Sequence, residues 1–311
     1  MKNKQDYSGV FTAVVTPFNE HDQPDFENFR ILIQTLKNEG VNGILLAGTT
    51  GEGPMLSLKE QEQIIESVLN ITAGMNLIVM AGTGCVSIKD TIFMTRRAFE
   101  LGIDAVVTLP PYYFKKISTA GLLNYFRRVF YEAVPDDKFL FLYDIPQLTG
   151  ITMTNELIEG LLKTHEKNFC GIKDSIGNFE HTQEIINRFP QLRVMVGTDK
   201  LLLKGLQAGA TGCITAGTNV LAAYAARVYQ AFIEGSEAAL KLQEDLTAAR
   251  SALERFTPFP ICLKSLLAYR FGNKGWNVRL PLMPLSYDEQ AELIRSLKSL
   301  NLDDSVDWLT K

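Results

Sequence analysis

Four short segments of this sequence carry residue types and spacings that can do chemistry. Lys173 closes an apolar run in Cys170-Gly171-Ile172-Lys173-Asp174-Ser175. An ammonium drawn partly out of water loses some of its preference for the charged form, and the free amine can attack a ketone to give a Schiff base. Taken alone, the same lysine also reads as one paired with Asp174 or reaching out to water. A second run ends Leu142-Tyr143-Asp144-Ile145-Pro146 and places a phenol, a proton carrier, at a matching position. A third ends Leu109-Pro110-Pro111-Tyr112-Tyr113-Phe114, a stiff turn with two more phenols, and each of these tyrosines alone reads also as a packing aromatic. The fourth segment, Gly48-Thr49-Thr50-Gly51-Glu52-Gly53, sets two hydroxyls among three glycines. Glycine lets the backbone turn sharply and expose its amides, so this loop can cradle a carboxylate, although a tight turn without a ligand would use the same residues.

Together the four segments converge, because a lysine nucleophile, a phenolic acid/base and a hydroxyl-lined anion cradle are what catalysis on a 2-oxo acid requires. An iminium at Lys173 would act as the electron sink, so that the adjacent carbon loses a proton or breaks a carbon-carbon bond. That chemistry calls for no metal and no cofactor. The three histidines agree with this: His21 lies in a polar stretch, His165 near a helix end and His181 within a helix, and none has a ligand partner at suitable spacing.

These groups need a scaffold, and the sequence describes one. A short apolar run followed by a longer amphipathic stretch recurs along the chain, the pattern of a parallel α/β fold. The spacing predicts strands over Val10 to Thr16, Gly43 to Ala47, Leu77 to Ala81, Ala105 to Leu109, Phe139 to Tyr143, Phe169 to Lys173, Arg193 to Val196 and Gly212 to Thr215. Their near-continuous hydrophobicity suits strands covered on both faces. Eight such units over about 235 residues match a closed (β/α)8 barrel better than an open doubly wound sheet, and in a barrel the reactive groups stand at the carboxyl ends of the strands. Ser57-Leu58-Lys59-Glu60 and Ser286-Tyr287-Asp288-Glu289 read as capping boxes. Gly40, Gly102 and Gly209 each end a helix just before a strand. After Gly235 the strand candidates stop, and Ser236 to Phe256, Pro260 to Phe271 and Ser286 to Leu300 read as helices. Residues 1–235 are therefore expected to form the catalytic barrel, and residues 236–311 a helical extension that packs on it or makes subunit contacts.

Composition narrows the partners. The 311 residues are 46% hydrophobic and 21% charged with a net charge of -4, which excludes a disordered or fibrous chain. No run approaches the roughly 18 apolar residues of a membrane span, and Met1-Lys2-Asn3-Lys4-Gln5-Asp6 has no apolar segment behind it, so a cytoplasmic location is the expectation. Lys and Arg are scattered rather than clustered, which gives no field for gathering nucleic acid or anionic lipid and leaves small molecules as the expected partners. Cys85, Cys170, Cys213 and Cys262 are widely separated beside apolar residues and read as buried thiols.

The ordered set Val14-Val15-Thr16-Pro17-Phe18, Gly48 to Glu52, Pro111-Tyr112-Tyr113, Tyr143 to Gly150, Gly171 to Ser175 and Gly212-Cys213-Ile214 resembles the dihydrodipicolinate synthase / N-acetylneuraminate lyase family of Schiff-base aldolases and lyases. The resemblance covers nearly the whole chain. It implies a barrel with a helical C-terminal extension, assembled as a tetramer of two tight dimers, acting on pyruvate. Lys173 then matches the Schiff-base lysine and Tyr143 the tyrosine that moves protons to and from substrate. Thr49 and Tyr113 match a hydroxyl relay whose second tyrosine is commonly contributed across the dimer interface. Thr50 and the neighbouring backbone, with Gly48 and Ile214, match the pyruvate subsite.

Departures from the family's patterns bear on the substrate. Leu148 stands where dihydrodipicolinate synthases carry an arginine two residues after the proline of Tyr143 to Pro146. Neuraminate lyases are hydrophobic there, but they place a glutamate after the aspartate of a Gly-x-Asp segment, and this chain reads Gly197-Thr198-Asp199-Lys200. They also carry a serine where Ala216 stands, and Asp144 replaces a common asparagine. By elimination the pattern fits an aldolase for 2-keto-3-deoxy sugar acids and related hydroxylated 2-oxo acids. Asp199, Lys200, Gln147, Thr149, Ser175 and Thr215 would meet its hydroxyls or a distal carboxylate. A neuraminate lyase or a 4-hydroxy-tetrahydrodipicolinate synthase with divergent contacts is one alternative, and a catalytically silent metabolite-binding barrel is another. The retained Lys173, Tyr143, Thr49 and Tyr113 argue against the last.

Overall fold

A strand with apolar side chains on both faces must be covered on both, and eight of them can cover one another's inner faces by closing into a ring. The computed structural model describes residues 3–272, 274–302 and 304–309. Its strands are β1 (Gly9–Ala13), β2 (Gly43–Leu46), β3 (Ile78–Gly82), β4 (Ala105–Thr108), β5 (Phe139–Asp144), β6 (Phe169–Asp174), β7 (Arg193–Val196) and β8 (Gly212–Thr215). They pair in parallel in chain order, and β1 closes the ring against β8 with Gly9 opposite Gly212. The chain thus forms the expected (β/α)8 barrel. Met1, Lys2, Thr310 and Lys311, parts of the opening and tail discussed above, lie outside the described residues.

Every second strand residue faces the interior, and the rings of Phe11 and Phe141 fill much of it. Small residues make room for them. A side chain on Gly43 would come within 2.3 Å of the Phe11 ring, and one on Gly171 within 2.7 Å of Phe141 and 1.9 Å of the Arg193 carbonyl. The outward residues, such as Ile44, Val106, Leu142 and Ile172, pack beneath the helices in the larger apolar core. The first of those helices, Phe26–Asn38, buries Phe29, Leu32, Ile33 and Leu36 on one stripe. The capping boxes at Ser57 and Ser286 form as read, and Gly40, Gly102 and Gly209 all adopt left-handed backbone conformations.

Several strand ends differ from expectation, and three of them bear on the site. β1 stops at Ala13 rather than Thr16 because the Asn219 side chain takes over the pairing, accepting from the Val15 N–H (3.0 Å) and donating to the Ala13 carbonyl (2.8 Å). β5 and β6 each run one residue past the expected end, to the buried carboxylates Asp144 and Asp174. Cys170, Cys213 and Cys262 are buried thiols as expected, whereas Cys85 is only partly covered.

Beyond β8 the described residues contain helices and no strand: Thr218–Ile233, Ala238–Leu253, Phe259–Phe271, Tyr287–Lys298 and a final 3-10 segment. None is long and apolar enough to cross a membrane among the described residues. The proposed division at residue 235 separates strands from tail helices, but charge pairs cross it. Arg250 reaches Asp199, Arg279 reaches Glu60 and Asp22, and Lys264 reaches Glu52. The last pair is the most enclosed, with both side chains 1% exposed. Lys264 also donates to the Asn277 carbonyl (2.6 Å), and Glu52 accepts from the Arg279 N–H (3.0 Å). Burial draws the Lys264 ammonium down to about 8 against the pull of Glu52.

Removing one member of a buried ion pair strands the other charge, at a cost of about 3 to 5 kcal/mol. Lys264→Ala is expected to lose stability of that order in equilibrium urea unfolding. A loss within about 0.5 kcal/mol, typical of a surface substitution, would show that Glu52 finds water or another partner.

Candidate active site

Pairing between β5 and β6 sets Tyr143 directly beside Lys173. Both side chains point inward at the carboxyl ends of their strands, 5% and 3% exposed, with the Lys173 Nζ 4.1 Å from the Tyr143 ring centroid. They open onto a cavity of about 810 Å³. Burial alone would push the Tyr143 phenol up. The Lys173 charge and the side-chain hydrogen-bonding groups of Thr49, Lys173 and Ser175 outweigh it, so the phenol lies below its ordinary value.

The loop after β2 supplies Thr49 and Thr50 to the same cavity. Its shape is tightly determined. Ala47 and Glu52 both have left-handed backbones, with φ of 49° and 57°. Gly53 must be a glycine, since a Cβ there would sit 2.0 Å from the Ala47 carbonyl oxygen. Thr16 donates its hydroxyl to the Gly51 carbonyl (2.6 Å).

Most of the residues singled out from the sequence meet at this cavity. Lys173, Tyr143, Thr49, Thr50, Ser175, Leu148 and Ile214 line it, as do Gln147, Lys200 and Ala216. Leu148 is 57% exposed at the mouth, and Gln147 donates to the Ser175 carbonyl (2.5 Å). Gly48 is set back against a much smaller cavity shared with Thr49 and Tyr143, and its carbonyl accepts from the Gly53 N–H (3.0 Å).

Three expectations need correcting, at Asp199, Thr215 and Thr149, and a fourth residue, Tyr113, stands apart from the cavity. Asp199 does not line the cavity. Its carboxylate is fully buried, bound to the Arg250 Nη1 (2.5 Å) and the Thr215 hydroxyl (2.6 Å), and so is already neutralised and satisfied. Thr215 is turned away by that same bond. Thr149 is buried with its hydroxyl donated to the Ile145 and Ile151 carbonyls. Tyr113 lies outside the cavity of its own chain, 71% exposed and edge-on to the equally exposed Phe114 at 5.1 Å.

The sequence reading missed the far wall. Arg250, Glu254 and the stretch Thr257 to Pro260 come from the tail and line the cavity opposite the β5 and β6 loops. Glu254 pairs with Lys200 and with the Arg250 Nε (3.2 Å). The only local signal was an i, i+4 Arg/Glu pair, which on any helix reads first as a surface ion pair. Among the described residues no three His, Cys, Asp or Glu side chains are grouped as a metal site would need. The site combines an amine and a phenol side by side, hydroxyls next to both, apolar walls, and a charged rim of Lys200 and Glu254.

Comparison with known proteins places this geometry in context. Residues 6–300 match the family model described as the dihydrodipicolinate synthetase family. An uncharacterized DapA-like lyase of Chloroflexus aurantiacus is 38% identical over 286 residues, covering 92% of this chain and 94% of that protein. A 4-hydroxy-tetrahydrodipicolinate synthase of Endomicrobium trichonymphae is 31% identical over 298 residues, covering 95% and 99%. Among solved structures, YagE, a prophage protein of E. coli K12 described as belonging to the dihydrodipicolinic acid synthase family and in complex with pyruvate, superposes with a TM-score of 0.89. It is 28% identical, over 96% of this chain and 99% of that one.

The phenol beside Lys173 carries a direct expectation. A tyrosine whose ionised form is favoured deprotonates at lower pH than a free one, so near-ultraviolet titration should show one tyrosinate forming below the ordinary value of 10.0, absent from Tyr143→Phe. Coincident titration curves for the two proteins would show that burial prevails over the lysine.

Proposed function

The chain belongs to the dihydrodipicolinate synthetase family and is a lyase of the class I aldolase type, and from that premise we propose that it forms or cleaves a 2-keto-3-deoxy sugar acid or a related hydroxylated 2-oxo acid, with pyruvate as one fragment. In this reading Thr50 and the amides of the loop from Gly48 hold the pyruvate carboxylate. The Lys173 amine adds to the ketone carbon, and the carbinolamine expels water to leave an iminium. Loss of a proton from the methyl carbon, or cleavage of the bond to it, gives the enamine. Tyr143, next to Lys173, takes and returns the protons, and a phenol with an accessible phenolate suits both directions. Thr49 continues the relay towards Tyr113, whose exposure in its own chain supports its entering a neighbour's site, within a tetramer built as a dimer of dimers. A cytoplasmic location belongs to the same reading.

Leu148 carries the substrate assignment. An arginine at that position of the mouth would hold an incoming carboxylate through two charge-assisted hydrogen bonds, each worth roughly 1.5 to 3 kcal/mol. The leucine offers neither and presents an apolar surface to it. Hydroxylated aldehydes need no such anchor and can use Gln147, Ser175, Thr198, Lys200 and Glu254, all of which line the cavity.

Three outcomes test the reading. Borohydride in the presence of pyruvate should add one pyruvyl unit per chain. Equal labelling of Lys173→Ala would remove the nucleophile, and no labelling of the unaltered protein would favour a silent binding barrel. Pyruvate should condense faster with glyceraldehyde than with aspartate semialdehyde, and the reverse preference would make the chain a 4-hydroxy-tetrahydrodipicolinate synthase like its relatives. Mixing Lys173→Ala with Tyr113→Phe chains should restore activity through hybrid dimers carrying one intact site, whereas a fully active monomer in sedimentation would exclude a shared site.

A further inference from the structure

The residues that follow Tyr143 and Lys173 point the other way. Strand alternation turns Asp144 and Asp174 out of the barrel interior towards the helices, opposite each other in register and buried. His181, on the helix Phe179–Arg188, stands over both. Its Nδ1 is 3.3 Å from Asp174 Oδ2 and its Nε2 4.0 Å from Asp144 Oδ2. The Thr182 hydroxyl donates to Asp174 Oδ2 at 2.6 Å, while Asp144 Oδ1 has no hydrogen-bond partner among the described residues.

Each carboxylate also holds one wall of the cavity. Asp144 Oδ2 accepts from the Met153 N–H (3.1 Å), closing the segment that carries Ile145, Gln147 and Leu148. Asp174 Oδ1 accepts from the Ile176 N–H (3.1 Å), shaping the turn that carries Ser175 and Ile176. The main chain reinforces the link, with the Ser175 N–H donating to the Asp144 carbonyl (2.8 Å) and the Gly197 N–H to the Asp174 carbonyl (2.7 Å).

We propose that His181 is a positioning residue, which bridges Asp144 to Asp174 and so sets the spacing of the two loops that meet the acceptor end of the substrate. Two carboxylates side by side in a buried wall repel, and an imidazolium between them relieves the repulsion while tying both strands to one helix. Burial pushes Asp144 up to about 7; Met153 and His181 act to lower it and Asp174 to raise it. The hydrogen bond to Asp174 raises His181 against the opposing effect of burial, helped by the charges of Asp174 on β6, Asp144 on β5 and Glu184 on its own helix. The bridge therefore favours the protonated imidazole, directly behind Tyr143 and Lys173.

The test has two arms. With three histidines in the chain, 13C-labelled imidazoles can be titrated individually by NMR. His181 should titrate above the ordinary value of 6.5, and the isosteric Asp144→Asn should lower its midpoint by about half a pH unit. In the kinetic arm, which rests on the Schiff-base reading of Lys173, His181→Ala should raise the KM for the aldehyde about tenfold while borohydride labelling with pyruvate stays at the unaltered level. An imidazole midpoint unmoved by Asp144→Asn overturns the bridge. An unchanged aldehyde KM in His181→Ala, with only a lower melting temperature, overturns the positioning role and leaves a structural contact. Failure of labelling in the unaltered protein overturns the Schiff-base reading instead and leaves the NMR arm standing.

Discussion

The buried ion pair between Glu52 and Lys264 is the constraint on which the rest of the arrangement depends. Glu52 lies in the loop that brings Thr49 and Thr50 to the cavity, and Lys264 on a helix of the tail, so one contact joins two elements 212 residues apart in sequence. Neither charge can reach water, so neither can leave the other without a large electrostatic cost. That enclosure holds a loop whose backbone twice enters the left-handed region at non-glycine residues, a conformation that local preferences alone would not maintain. The hydroxyls near Lys173 thus owe their position to a lysine in the tail.

The same logic recurs at two further points. Arg250 neutralises Asp199 and, with Glu254, forms the far wall of the cavity, while Arg279 binds Glu60 and Asp22 beside the loop. The helical tail is therefore more than a cover for the barrel, because its cations complete buried charges the barrel cannot satisfy by itself. At Asp174 the barrel meets a buried carboxylate by itself, with His181 and Thr182 from the next helix along the chain.

Two-residue alternation along β5 and β6 gives one stretch of wall two chemically different faces. Tyr143 and Lys173 face the cavity, and the residues immediately after them face the helices, so the amine and phenol and the carboxylates that hold the adjoining loops lie back to back across a single layer of backbone. A one-residue slip of either strand would exchange the two sets.

What the sequence determined by itself was local. Eight apolar runs, the capping serines and the glycines that end helices are dictated by burial and backbone preference within a few residues, and they place Lys173, Tyr143, Thr49 and Thr50 at strand ends without reference to distant contacts. Even the limit of β1 lay beyond that reach, since it depends on Asn219, 206 residues along the chain, which ring closure against β8 brings alongside. The tertiary structure alone decided which polar groups remain free to meet a substrate. Asp199 and Thr215 look available in sequence but are consumed by Arg250 and by each other, Thr149 is consumed by its own turn, and Glu254 is brought in from the tail. A side chain's type is written in the sequence, but whether its hydrogen bonds and charge are already satisfied depends on partners that only the closed barrel and its docked tail bring within reach.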